Sequence, residues 1–156
     1  MVVAALTAAD IVTETADDDV VLTDEFRAAW RGEIDRLQAL DRASYLASFF
    51  EADRETMRVE ENPDGSVTVR ADRDHLGEWP SETAIDADVA CFLTLQEWFP
   101  EWDELTGGER DSLVAQLRLF LEACPACEAD LTMEESAMTP EGVPRVRCAD
   151  CDTTLV

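Results

Sequence analysis

The chain has 156 residues, long enough for one domain with a real core, or for a small domain plus an appendage. Asp and Glu number 36 against 12 basic residues, a formal charge of −24, and every one of those basic residues is arginine. That balance leaves no basic patch for nucleic-acid phosphates, and no stretch reaches the roughly 18 apolar residues of a membrane span.

The N-terminus, Met1 to Leu6, is apolar but lacks a charged leader region and a full hydrophobic segment, so a cytoplasmic location is expected. Thr7-Ala8-Ala9-Asp10 has the form of a capping box and predicts a short helix through about Thr15. Asp17 to Asp19 break it, and Val20-Val21-Leu22 can form a short strand. Thr23 followed by Asp24 and Glu25 is an N-cap with acids in the first turn. Phe26, Trp30, Ile34 and Leu37 then recur at helical spacing, predicting an amphipathic helix to about Leu40. A further apolar helix is expected over Ala43 to Ala52.

The period then changes. Met57, Val59, Val67 and Val69 alternate with Arg58, Glu60, Thr68 and Arg70 around Asn62-Pro63-Asp64-Gly65, which predicts a β-hairpin near residues 56–70. Residues 71–85 read as loop and carry His75, the single histidine. Beside Asp74 it invites a general-base role, but with no serine or cysteine partner in sight a bystander histidine is the better reading. Asp86 to about Trp98 is apolar and helical, ending before Pro100. Within it Cys91 reads as a buried small hydrophobe. Trp98, Phe99 and Trp102 read as core rather than as a docking patch. Thr106-Gly107-Gly108-Glu109 is a second capping box, opening a helix whose Leu113, Leu117, Phe120 and Leu121 share one face.

That helix runs almost directly into Cys124-Pro125-Ala126-Cys127. A second pair, Cys148-Ala149-Asp150-Cys151, follows after 20 intervening residues. Two CxxC pairs at this separation match a four-cysteine metal site, each pair aiming two sulfurs at one point. Between them Leu131 to Met133 and Val143 to Arg147 alternate like strands joined at Pro140-Glu141-Gly142. The knuckles and the hairpin together resemble a zinc ribbon, a module common in archaeal transcription and translation proteins. The resemblance covers residues 124–156 and implies Cys124, Cys127, Cys148 and Cys151 as ligands of one structural Zn2+. Glu128 and Asp152 stand where such ribbons often place glycine. A rubredoxin-like iron site would use the same ligands, but its core packs aromatics and residues 124–156 contain none. A thiol redox centre would need only one pair, at a helix N-terminus.

The expected fold is therefore α+β: a mostly helical domain over residues 1–122 with one β-hairpin, and a zinc ribbon over 123–156. The absence of lysine, with abundant Asp, Glu, Ala and Val, resembles the proteins of haloarchaea. There molar salt shortens the Debye length to roughly 3 Å and quiets carboxylate repulsion. In the ribbon, Arg145 and Arg147 face Glu128, Asp130, Glu134, Glu135, Glu141, Asp150 and Asp152, which favours a protein partner over nucleic acid. The function expected is that of a non-enzymatic interaction or regulatory protein. Two alternatives stand beside it. One is a winged-helix transcription regulator, offering Arg42, Arg54, Arg58 and Arg70 to DNA. The other is an enzyme or enzyme subunit in which zinc is only scaffold.

Overall fold

The computed structural model describes residues 2–118, 132–138 and 144–148. Residues 2–118 fold as an α+β unit of five helices and two small antiparallel sheets. Helix α1 (Val2–Ala8) is followed by Asp10, whose left-handed backbone (φ 59°) turns the chain into β1 (Val12–Glu14). Aspartate tolerates that conformation better than most residues. The helix expected over 7–15 is thus corrected: it lies earlier. The β-branched run Ile11-Val12-Thr13 enters a strand that pairs with β2 (Val20–Leu22), Val12 opposite Leu22. Ile11 and Val12 are buried by doing so.

Helix α2 (Asp24–Gln38) follows its sequence signals closely. The Thr23 hydroxyl oxygen accepts from the Phe26 N–H at 3.2 Å, and Phe26, Trp30, Ile34 and Leu37 are all buried. Helix α3 (Arg42–Phe49) starts at Asp41, whose carboxylate accepts from the Ser44 N–H. The expected hairpin forms as β3 (Met57–Glu61) and β4 (Val67–Ala71), with Val59 opposite Val69 and Gly65 supplying the positive φ of the turn.

The expectation of one hairpin and a loop over 71–85 is overturned. A third strand, β5 (Asp74–Trp79), pairs antiparallel with β4 to complete a three-stranded meander, and β1–β2 forms a separate hairpin. Strand β5 carries no β-branched residue and has Gly77 in its interior, so its strand character comes from pairing rather than from local preference.

Helix α4 (Glu82–Trp98) is the centre of the unit. It begins earlier than its apolar run, because the Ser81 hydroxyl oxygen caps it by accepting from the Ala84 N–H at 3.1 Å. It packs along α2, and the Trp30 indole N–H donates to the Ala87 carbonyl at 2.9 Å. A short 3-10 turn (Trp102–Glu104) leads to α5 (Gly107–Arg118). There the capping box forms reciprocally: the Glu109 carboxylate accepts from the Thr106 N–H, and the Thr106 hydroxyl from the Glu109 N–H. Leu113 and Leu117 face the core as expected; Phe120 and Leu121 lie outside the described residues. Strands β6 (Thr132–Met138) and β7 (Pro144–Arg147) pair antiparallel with each other.

Candidate functional site

Of the four cysteines expected to hold metal, Cys148 is described, and Cys124, Cys127 and Cys151 lie outside the described residues. Cys148 follows β7 directly and is fully buried. The β6–β7 ladder runs from Thr132 opposite Arg147 through Glu134 opposite Arg145, so its open end adjoins Cys148. Four cysteines are a donor set that suits tetrahedral zinc and leaves no position open for substrate. Among the described residues, no group of three or more His, Cys, Asp or Glu side chains is placed to hold a metal ion.

Phe99 and Trp102 are buried and Trp98 is partly so; Trp98 meets the Phe26 ring edge-on at 5.6 Å, and Phe92 meets Trp102 at 4.7 Å. They are core, as expected. Cys91 is also in the core, where burial pushes its thiol well above the ordinary range. His75 is exposed on β5 opposite Arg70. The arginines that a winged helix would offer to DNA are engaged within the chain. Arg42 pairs with Asp86 and Glu82, Arg54 with Asp41, and Arg70 with Glu60, while Arg58 donates to the Glu55 and Met57 carbonyls.

Two acids of α4 are set apart from the solvated majority. Asp86 is buried, its side chain 1% exposed, and it accepts from Arg42 twice: Nε to Oδ1 at 3.0 Å and Nη2 to Oδ2 at 2.7 Å. The Tyr45 hydroxyl donates to the same Oδ1. Burial, then the hydrogen bond to Asp86, raises the Tyr45 hydroxyl well above its ordinary range, and the bonds to Asp86 likewise raise Arg42. This network ties α3 to α4.

Asp88 lies two residues on and faces the other way. The Trp79 indole N–H donates to its Oδ2 at 2.8 Å, and Arg118 Nε stands 2.9 Å from Oδ1, a charge contact rather than an aligned hydrogen bond. Burial pushes the Asp88 carboxyl up to about 6, against the pull of Arg118 and the indole. The pair sits in a cavity of about 470 Å³ between β5, the C-terminal end of α3, α4 and α5. Its aromatic walls are Phe49, Phe50, Trp79 and Phe92, with Glu78 and Asp111 also lining it. Phe49 meets Phe50 at 5.0 Å and Phe92 at 4.9 Å, each nearly at right angles. Gly77 makes this shape possible: a Cβ there would come within 2.6 Å of the Trp79 ring, so glycine lets the indole fold back over β5.

The sequence signal for this site was an acid pair, Asp86 and Asp88, inside an otherwise apolar helical run. An acid in such a run is either a helix-start residue or a paired core group, and the pairing partners, Arg42 and Arg118, are distant in sequence.

The chain belongs to a family of unknown function, DUF8054, whose central domain matches residues 1–119. No curated protein and no solved structure matches it.

Proposed function

We propose that this chain is a non-enzymatic interaction or regulatory protein of a halophilic archaeon, in which a C-terminal zinc ribbon is joined to the α+β unit and meets a protein partner. One observation carries the reading. The two CxxC pairs, Cys124/Cys127 and Cys148/Cys151, bracket a segment in which β6 and β7 pair antiparallel, and Cys148 is buried at the end of that ladder. A ribbon needs a hairpin in that place to bring two knuckles to one metal. The match of the family's central domain, which ends at residue 119, supports treating the cysteine segment as a separate unit.

In this reading zinc stabilises the fold and does no chemistry, because four thiolates fill its coordination sphere. The acidic surface supports a protein rather than a nucleic-acid partner, since counterion release needs cations, and Arg42, Arg54 and Arg70 are held in ion pairs within the chain. The test is bound metal, measured by elemental mass spectrometry on the full chain purified in high salt without chelator. One zinc per chain is expected, and Cys148→Ser should lose it. Wild-type protein without metal, or with iron, refutes the zinc ribbon; metal retained by the serine variant refutes the four-ligand set.

A further inference from the structure

We propose that the cavity between β5, α4 and α5 is a binding site for a small organic cation carrying a trimethylammonium group. The size fits a small molecule: about 470 Å³ lies within the range of ligand pockets, roughly 300–1,000 Å³. The charge favours a cation. Arg118 and Asp88 neutralise one another at 2.9 Å, which leaves Glu78 and Asp111 as the net charge of the lining. Among the described residues neither has an arginine partner; the Ser66 hydroxyl donates to Glu78 at 3.3 Å. An anion entering here would meet two carboxylates and, among the described residues, no uncommitted cation.

The walls decide which kind of cation. Three phenyl rings and the Trp79 indole line the cavity, so an entering group meets aromatic side chains from β5, from α4 and from the end of α3. Aromatic rings attract a cation through their quadrupole, and they take apolar methyl groups without the dehydration penalty of a bare ammonium. An inorganic ion finds too few oxygen ligands, since no described group of three or more ligating side chains converges there. The site is independent of the cysteine module and stands or falls without it.

The test titrates the full chain, in the salt in which it is purified, with choline and with dimethylbutanol, its uncharged carbon isostere. Choline should bind about tenfold more tightly. Glu78 and Asp111 are exposed, so the double variant Glu78→Gln, Asp111→Asn should keep its fold; it should weaken choline about tenfold and leave dimethylbutanol unchanged. Equal affinity for the two probes, or binding of neither, overturns the proposal. A peptide carrying trimethyllysine separates the sources of the group. Choline bound as tightly as the peptide keeps the free small molecule, whereas a peptide bound much more tightly overturns that assignment.

Discussion

Replacing Arg42 by Met should destabilise the fold by about 3 kcal/mol, and the reason lies in which partner is left behind. Breaking a buried ion pair by removing one member costs about 3–5 kcal/mol, because the other charge stays buried without compensation. Here the group left behind is Asp86, 1% exposed, while the group removed is 28% exposed. The Tyr45 hydroxyl still donates to Asp86, which keeps the figure at the lower end of that range. Arg36→Met is the internal control. Arg36 bonds Glu33 at 2.8 Å, within 0.1 Å of the buried pair, but the two side chains are 54% and 31% exposed, so its loss should cost less than about 1 kcal/mol. Urea denaturation at neutral pH and fixed molar KCl measures both, and urea leaves the ionic strength unchanged. The double variant Arg42→Met, Asp86→Leu should recover much of the loss, since apolar side chains can replace a buried pair at little cost. Equal losses for Arg42→Met and Arg36→Met, or a double variant worse than Arg42→Met alone, would refute the argument that burial sets the magnitude.

Gly77→Ala should cost about 1–3 kcal/mol, because the Trp79 ring must leave a Cβ at 2.6 Å and so release its bond to Asp88; an unchanged melting temperature would contradict that packing. Asp88 titrates at about 6 in the fold against 3.8 in the unfolded chain, so the folded state holds the proton more tightly. Its contribution is therefore most favourable below pH 4 and is lost as pH rises through 6, by up to about 3 kcal/mol. Relative to Asp88→Asn, wild-type stability should fall over that window, and a pH-independent difference would be inconsistent with a raised carboxyl. Moving the protein from molar KCl to about 0.1 M lengthens the screening distance from roughly 3 Å to about 10 Å. The melting temperature should drop, and a constant value would rule out halophilic adaptation.

Local signals in the sequence were legible wherever a few neighbouring residues decide the outcome. The Thr23 cap and the Phe26, Trp30, Ile34, Leu37 stripe gave α2, and the reciprocal Thr106–Glu109 cap gave α5. The alternation around Asn62 to Gly65 gave β3 and β4 with their turn. Distant pairing was not legible. Strand β5 exists because β4 offers it an edge, and its glycine is explained only once Trp79 is seen lying on it. Asp10 looked like the end of a capping box, but its left-handed backbone makes it the stop of the preceding helix instead. Asp86 and Asp88 stand out only as acids in an apolar run, and which of the 36 acids are paired in the core was not legible, since their partners Arg42 and Arg118 are distant in sequence.

Those two acids also solve a problem that α4 poses. Its buried residues, Ala84, Ile85, Ala87, Val89, Ala90, Cys91 and Leu95 among them, surround most of the helix, so burial alone sets its rotation about its own axis weakly. Residues two apart on a helix point about 200° away from each other, that is, to opposite sides. Asp86 reaches Arg42 and Tyr45 of α3, and Asp88 reaches Arg118 of α5 and Trp79 of β5. A rotation that kept the apolar residues buried would strand both carboxylates away from their arginines, a cost of several kcal/mol for each. In a chain with 12 cations and 36 acids, placing two arginines here fixes the central helix from both sides. The same placement holds Trp79 against Asp88, so the cavity wall and the orientation of α4 are set by one arrangement.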